Sequence, residues 1–191
     1  MAAGEGSRLR PITEHWPKPV LPIDGKPVVV TLAHELAAAG CERIVVVTGH
    51  LAEQVEELLA PLPYPIEFVR QPPGQGSADA VLRAQGRPPY LVLAADNVFA
   101  EGDLARFARE AAGCDGAYAL HGEERPPLWL VGGRVHRFLD PLPGNPPYEL
   151  QHVFANAVDD GAKVSAIQIA RTRDLTSPVD LVRQNFAYLT E

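Results

Sequence analysis

The sequence has few cysteines and no long apolar run. Only Cys41 and Cys114 occur among 191 residues, and they show neither metal-ligand spacing nor a disulfide pattern. We therefore expect both to be buried thiols in a reducing compartment. No apolar stretch is long enough to span a bilayer and no signal peptide is recognisable, so we expect a cytoplasmic chain that does not bind membranes.

Positive charge is also scarce. The formal net charge is -7, from 24 acidic and 17 basic residues. A protein that neutralises many nucleic-acid phosphates normally has a basic surface, so the composition argues against nucleic acid as a partner. A small phosphorylated ligand is easier to accommodate. With 46% hydrophobic residues and no linker or repeat, we expect one domain, 1–191.

The segment 3–27 combines small residues with basic residues that lie beside prolines. Gly4 and Gly6 lack a Cβ, so backbone N–H groups there can approach an anion, and Arg8 offers a planar fork of donors to phosphate oxygens. Only three of the 17 basic residues are lysines, and two of them, Lys18 and Lys26, fall in this segment. We interpret the segment as a phosphate-binding loop, the alternative being solvated charges in a proline-rich turn.

Two familiar phosphate loops do not fit this segment. A Rossmann fingerprint requires a third glycine that opens a helix, whereas Leu9 stands there and Pro11 follows. A Walker loop requires a glycine where Val20 stands and a Ser or Thr where Pro27 stands.

Apolar periodicity predicts strands that alternate with helices, which indicates a doubly wound, mostly parallel, Rossmann-like α/β sheet with helices on both faces. Asp96 follows a buried strand, at the edge where such sheets bind ligands. Arg134 to Phe138 are expected to form a strand, joined to the one before it by a Gly132-Gly133 hairpin turn. The predicted strands are 43–48, 66–69, 90–95, 116–121, 128–131, 134–138 and 163–170, and the predicted helices are 30–39, 53–60, 78–85, 103–112, 149–160 and one from the Ser177 cap to about Leu189.

The opening residues resemble the signature of the sugar-1-phosphate nucleotidylyltransferases, Ala-Ala-Gly-x-Gly-Thr-Arg-Leu-x-Pro-x-Thr followed by Pro-Lys-Pro and Gly-Lys-Pro. Ala2 to Pro27 follow that pattern, with Ser7 in the Thr position. The resemblance implies transfer of a nucleotidyl group from dTTP or UTP to a sugar-1-phosphate, with Mg²⁺ as cofactor. It also implies a nucleotide-binding part at about 1–113 and a reduced sugar-binding part at about 114–191, and it leaves a homo-oligomer open.

The resemblance assigns roles to particular residues. Arg8 and Lys18 would be catalytic, and Asp96 and Asp174 would hold the metal. The segment 71–80 resembles the family's base-recognition element, in which Gln71 would offer a donor and an acceptor to a pyrimidine and Ser77 would cap the next helix. The implied nucleotide-binding residues are Ala3, Gly4, Gly6, Ser7, Gln71, Gly76 and Ser77.

Three departures from the family pattern qualify this reading. The family signature follows an apolar first strand, but here Ala2 already belongs to the signature, so we expect either residues ahead of Met1 or an unusual repair of the sheet. A first strand of about five buried aliphatic residues would contribute roughly 7 to 15 kcal/mol of hydrophobic stabilisation. The family's sugar-phosphate lysine is missing, with Arg134 or Arg137 as substitutes, and Thr176 stands where glycine is usual. A non-catalytic nucleotide-binding paralogue is therefore the alternative.

Overall fold

Helices and strands alternate along the chain, as the periodicity predicts. The structure is a computed structural model that describes residues 1–186. Single 3₁₀ turns lie at Ser7–Leu9, Ile12–Glu14, Lys18–Val20 and Arg137–Leu139. The strands are β1 Pro22–Ile23, β2 Lys26–Pro27, β3 Ile44–Thr48, β4 Ile66–Arg70, β5 Tyr90–Leu93, β6 Asn97–Phe99, β7 Gly116–Leu120, β8 Leu128–Val131, β9 Val164–Gln168 and β10 Thr172–Asp174. The helices are α1 Val28–Ala38, α2 Ala52–Leu59, α3 Ser77–Arg83, α4 Asp103–Glu110, α5 Gly133–His136, α6 Leu150–Asp159 and α7 Pro178–Asn185.

The strands form both parallel and antiparallel pairs, and their alternation with helices confirms the expected doubly wound α/β class. β3 pairs in parallel with β4 and β7 with β9, while β8 runs antiparallel between β5 and β7. The first two residues connect the halves. Ala2 forms a parallel bridge to Thr48 of β3, and Met1 exchanges hydrogen bonds with Leu93 and Ala95 at the end of β5. Met1 and Ala2 therefore bridge β3 and β5 at the C-terminal ends of these strands.

Two separate apolar clusters pack helices against the sheet. Helices α1, α2 and α4 contribute to the first, with Leu32 and Phe107 almost wholly buried. Helices α3, α5 and α6 contribute to the second, with Val81 and Val153 buried. The crossover helices therefore cover both sides of the strands, as the alternation of elements requires.

The predicted strand 134–138 is wrong. The segment forms the short helix α5 and then a 3₁₀ turn, because Val135 and Leu139, four residues apart, both bury their side chains on one helical face. Gly132 is not a hairpin residue either. Its N–H donates to the carbonyl of Asp115, and a Cβ at Gly132 would lie 2.6 Å from that oxygen. Close packing explains the glycine.

The last helix begins where it was predicted, whereas the cysteines are less buried than predicted. A capping box between Ser177 and Asp180 begins α7 as predicted, whereas the expected helix end near Leu189 lies outside the described residues. The two cysteines are free but only partly buried, so the expectation of buried thiols is wrong. Within residues 1–186, no helix has the length and apolar character needed to cross a membrane.

Candidate functional site

The N-terminal glycine loop, residues 3–9, is anchored by two buried residues, Leu9 and Thr13, and is exposed at Arg8. Leu9 is 1% exposed, and its N–H donates to the carbonyl of Gly6. The hydroxyl of the buried Thr13 donates to the same carbonyl over 3.0 Å. Arg8 is exposed and has no hydrogen bond or ion pair with any described residue. The fold therefore fixes the loop's backbone while leaving the Arg8 guanidinium available.

Asp96 lies just beyond β5 and is paired with a lysine from the N-terminal segment. Lys18 Nζ donates to Asp96 Oδ2 over 2.5 Å, and the Lys18 side chain is only 11% exposed. The other carboxylate oxygen, Asp96 Oδ1, is buried and has no hydrogen-bond partner within residues 1–186. A buried carboxylate oxygen without a partner is an unsatisfied acceptor, which a cation or a hydrogen-bond donor would satisfy.

The amino group of Met1 lies in the same region. It donates to the carbonyl of Leu93 over 2.8 Å, and burial lowers the pKa of this amino group to about 6, an effect that the nearby charge of Asp96 partly offsets.

Asp174 is brought beside Asp96 by a short antiparallel ladder. Strands β6 and β10 pair so that Asp174 lies opposite Asn97, the residue that follows Asp96. The Asp174 carboxylate is exposed and accepts a hydrogen bond from the Thr176 hydroxyl over 2.8 Å. Thr176 has no positive φ, so its loop does not need the glycine that the family pattern contains. Asp96 and Asp174, 78 residues apart in sequence, thus lie on adjoining segments of the backbone.

The loop 71–76 is held by its own hydrogen bonds. Gln71 Nε2 donates to the carbonyl of Gly76 over 2.8 Å and to Asp79 Oδ2 over 2.9 Å. Both amide N–H groups of Gln71 are therefore engaged, and only Oε1 remains as an acceptor, whereas we had expected a donor as well. Gly76 has a φ of +86°, and a Cβ there would lie 2.4 Å from the carbonyl oxygen of Tyr148. Only glycine fits this contact.

Ser77 does not cap its own helix, so that prediction is wrong. Its hydroxyl donates to Glu149 Oε2 over 2.7 Å and accepts from the N–H of Leu150, the first residue of α6. The hydroxyl therefore joins the starts of α3 and α6. Glu149 was missed as a site residue, because an acid at the start of a predicted helix is explained by the helix itself.

Most of the expected site residues line one cavity of about 430 Å³, a volume within the range of small-molecule sites. The glycine loop forms one wall, the loop 71–77 another, and the end of β5 the floor. The lining residues that are polar or glycine are Gly4, Gly6, Ser7, Arg8, Lys18, Gln71, Gly74, Gln75, Gly76, Ser77, Asp96, Glu149 and Thr176. Ala3 also lines the cavity.

Some candidates lie outside this cavity. Asp174 borders it only through its neighbours Leu175 and Thr176, which are lining residues. Lys26 is exposed on β2. The Arg134 side chain is hydrogen-bonded to Asp160, and Arg137 is exposed after α5. Neither of these arginines lines the cavity that contains Lys18.

The donor set fits a magnesium ion that receives part of its coordination from substrate. No group of three or more His, Cys, Asp or Glu side chains suited to a metal occurs within residues 1–186. Mg²⁺ is commonly held by only one or two carboxylates, together with waters and substrate phosphates. The orphaned Oδ1 of Asp96 and the exposed carboxylate of Asp174 match this requirement.

Comparison with known proteins gives a family match over most of the chain. Residues 1–165 match the family model described as MobA-like NTP transferase domain. A relative from Haloferax volcanii, the UTP–glucose-1-phosphate uridylyltransferase AglF, is 33% identical over 119 residues, which are 58% of this chain and 48% of AglF. The chain spans about half or less of the length of the curated relatives it matches.

Solved structures show the same fold. A glucose-1-phosphate thymidylyltransferase from Bacillus anthracis, described as putative and solved with sucrose, superposes with a TM-score of 0.82 at 17% identity, covering 96% of this chain and 91% of that one. A UDP-glucose pyrophosphorylase complexed with UDP-glucose gives a TM-score of 0.80 at 20% identity, covering 99% and 96%.

Proposed function

Because the chain belongs to the family of MobA-like NTP transferase domains, we propose that it transfers a nucleotidyl group from UTP or dTTP to a sugar-1-phosphate. The products are an NDP-sugar and pyrophosphate. The observation that carries this proposal is the single cavity in which the glycine loop, the loop 71–77 and Asp96 meet.

The free acceptor of Gln71 supports a uracil or thymine base. With both N–H groups of Gln71 engaged internally, Oε1 accepts from the ring N3–H that these two bases carry. Cytosine has an unprotonated N3 and offers no donor at that position. The close contact of Gly76 with the Tyr148 backbone keeps the loop, and therefore Gln71, in one position.

The glycine loop and Arg8 would bind the triphosphate. The loop's backbone is fixed by Leu9 and Thr13, so its N–H groups are preorganised, and Arg8 has no partner that it must release among the described residues. Lys18, held at Asp96, would neutralise negative charge at the α-phosphoryl group.

Asp96 and Asp174 would hold Mg²⁺ with help from the substrate phosphates. When bound, the ion neutralises charge on the phosphoryl oxygens. Lys18 and Asp96 already form an ion pair, so the lysine also balances the charge that two adjacent carboxylates would otherwise bring together.

The reaction needs no general base. An oxygen of the sugar-1-phosphate attacks the α-phosphorus, a new P–O bond forms, and the bond between the α-phosphorus and its bridging oxygen to the β-phosphorus breaks. The attacking monoester, with a second pKa near ~6, is already largely ionised at neutral pH. The chain's work is to align the two phosphates and to neutralise charge.

The second part of the chain, about 114–191, would supply the sugar contacts. From this part the cavity receives the carboxylate of Glu149 and the hydroxyl of Thr176. A carboxylate and a hydroxyl can accept hydrogen bonds from sugar hydroxyls. We assign the nucleotide to the part at about 1–113.

The test is pyrophosphate release from each of UTP, dTTP, CTP, ATP and GTP with glucose-1-phosphate and other sugar-1-phosphates, in the presence of Mg²⁺. We expect turnover with UTP or dTTP. Absence of turnover with every pair, together with nucleotide binding by calorimetry, would instead establish the non-catalytic paralogue. Absence of both would contradict the assignment of the cavity.

A further inference from the structure

The side-chain amide of Gln71 lies against two groups that can only accept hydrogen bonds. Its Nε2 donates to the backbone carbonyl of Gly76 over 2.8 Å and to Asp79 Oδ2 over 2.9 Å. If the amide were turned by half a rotation, Oε1 would face a carbonyl oxygen and a carboxylate oxygen, and neither contact would contain a hydrogen. The two acceptors therefore determine which end of the amide they bind and which end remains for a ligand.

Asp79 is the stronger of these two acceptors. The Gly76 carbonyl is shared with the start of α3, because it also accepts from the N–H of Ala80 over 3.4 Å. A carboxylate forms a stronger hydrogen bond than a neutral carbonyl, and Asp79 is only 7% exposed, so little water competes with Gln71 for it. The orientation of the Gln71 amide therefore depends mainly on Asp79.

Two structural explanations for Asp79 do not account for its burial. An acid in the first turn of α3 interacts favourably with the helix dipole, and Arg83 Nε donates to Asp79 Oδ2 over 2.6 Å from the next turn. Both interactions are available to an exposed carboxylate, whereas a buried carboxylate costs free energy unless it is paired and hydrogen-bonded. The hydrogen bond from Gln71 is the contact that these two explanations leave out.

The backbone around Gln71 and around its acceptors is fixed by other segments. The N–H of Gln71 donates to the carbonyl of Thr48 in β3 over 2.8 Å. On the other side of the loop, the N–H of Tyr148 donates to the carbonyl of Gln75, and the carbonyl of Tyr148 accepts from the N–H of Ala78, both over 2.8 Å. Because the backbone is held at both ends, the direction of the Gln71 amide is decided by its side-chain contacts.

Gln71 lines the 430 Å³ cavity, whereas Asp79 does not, so an effect of Asp79 on a nucleotide acts through Gln71. We propose that Asp79 is a positioning residue that makes the site select uracil and thymine over cytosine. It holds the amide so that only Oε1 is available to the base. Uracil and thymine donate their N3–H to Oε1, whereas N3 of cytosine carries a lone pair that Oε1 repels. This inference rests on the proposed contact between Gln71 and the base.

A pair of variants separates this role from the structural ones. Asp79→Leu removes the acceptor but keeps a branched side chain of similar size, so one N–H of Gln71 becomes available to the base. Arg83→Leu breaks the same ion pair and leaves Asp79 Oδ2 to accept from Gln71. The Arg83 side chain is 38% exposed and does not line the cavity. If Asp79 acted only as the partner of Arg83, the two variants would behave alike.

Calorimetry with UTP and with CTP measures the selectivity of each chain. We expect the original chain to bind UTP at least about tenfold more tightly than CTP, and Asp79→Leu to lose this preference, because UTP loses a fixed acceptor and CTP gains a donor. Arg83→Leu should keep the preference within about twofold. A general loss of structure would weaken both nucleotides and leave their ratio unchanged. An unchanged ratio in Asp79→Leu, an equal loss in Arg83→Leu, or an original chain without preference would overturn the proposal.

Binding measurements keep this inference separate from the proposed reaction. A preference for UTP that Asp79→Leu abolishes, found in a chain that releases no pyrophosphate, would support the role of Asp79 and contradict nucleotidyl transfer. Pyrophosphate release from UTP, together with an unchanged preference in Asp79→Leu, would support the transfer and contradict the role of Asp79.

Hydrogen exchange at the Gln71 side-chain amide, measured by NMR, tests the arrangement in the unmodified chain and decides the matter if Asp79→Leu does not fold. Both Nε2 protons should exchange at least about tenfold more slowly than those of Gln151, which is exposed on α6, and they should stay protected when UTP is bound. The signals are assigned by their absence in Gln71→Ala. Exchange as fast as that of Gln151, or loss of protection with UTP, would overturn the proposal.

Discussion

Lys18 Nζ lies 2.5 Å from Asp96 Oδ2, although the two residues are 78 positions apart in the sequence. The lysine lies between two prolines in a 3₁₀ turn, and the aspartate follows strand β5. The pair places a fixed positive charge at the C-terminal edge of the sheet, beside a carboxylate oxygen that has no partner among the described residues. This arrangement is the basis of the first two predictions.

Replacing Lys18 with Met should abolish most of the transfer activity. The substitution keeps much of the side-chain volume but removes the charge that neutralises the α-phosphoryl group, so we expect kcat to fall about 10²- to 10³-fold. The matched control is Lys163→Met, since Lys163 is exposed and its ammonium forms no ion pair with any residue from 1 to 186. Pyrophosphate release measures both. More than half of the activity remaining in Lys18→Met would contradict the assigned role.

Asp96→Asn should separate metal binding from nucleotide binding. The amide keeps the shape of the carboxylate but loses the charge on which a magnesium ion depends. Calorimetry with UTP should show that Mg²⁺ no longer strengthens binding, while binding without Mg²⁺ is retained. Asp159→Asn, at an exposed position on α6, should keep the full effect of Mg²⁺. An undiminished Mg²⁺ effect in Asp96→Asn would rule out Asp96 as a ligand.

Two glycines of the cavity should differ in what their replacement changes. A Cβ at Gly4 meets no atom within 4 Å, so Gly4→Ala should leave the free energy of unfolding within about 0.5 kcal/mol of the original. Nucleotide affinity should nevertheless fall about tenfold, because the methyl group occupies the phosphate's approach to the backbone.

Gly76→Ala should instead destabilise the chain. The added Cβ would lie 2.4 Å from the carbonyl oxygen of Tyr148, at a φ of +86° that alanine rarely adopts. We expect a loss of about 2 kcal/mol or more, measured by urea unfolding. Equal stability of Gly4→Ala and Gly76→Ala would show that the contact with Tyr148 is not maintained in solution.

Glu35 on α1 should make stability depend on pH. Burial raises the pKa of its carboxyl group to about 7, with a smaller contribution from Asp103, and its Oε2 is buried without a partner among residues 1–186. Because the folded-state pKa lies above the unfolded value, the stabilisation is fully present below about pH 4.5 and is lost as the pH rises through 7. The side chain is half-buried, so solvent screening limits the effect to about 1 kcal/mol.

Glu35→Gln removes this titration and should be more stable than the original chain above pH 7. Urea unfolding from pH 5 to 8.5 measures the difference. Glu57→Gln, at an exposed position on α2, should follow the original curve. A pH profile of Glu35→Gln that is parallel to the original would show that Glu35 does not titrate in this range.

Local patterns in the sequence were sufficient for the order of the main elements. The run Ile44 to Val47 is apolar at every position, which is typical of a strand covered on both faces. Gly40 and Gly113 mark the ends of helices where the chain needs a positive φ. By contrast, 134–138 was mistaken for a strand, because a five-residue segment has too few positions to separate a period of two from one of 3.6.

Local sequence patterns could not predict the pairings between distant segments. The two short strands β6 and β10 are three residues each, too short to produce periodicity, yet they place Asp174 opposite Asn97. The role of Ser77 was missed for the same reason. A serine at a helix start predicts a cap on its own helix, whereas the partner that the fold supplies, Leu150, lies 73 residues away.

The sequence by itself determined the α/β class, the glycine loop with Arg8 and Lys18, and the carboxylate after β5, because each depends on the backbone freedom, charge or apolar character of adjacent residues. Only the tertiary structure decided that Lys18 meets Asp96, that Gln71 retains only an acceptor, and that Ser77 joins the starts of α3 and α6. These features are contacts between distant segments, and a distance between segments is set by how the whole chain packs.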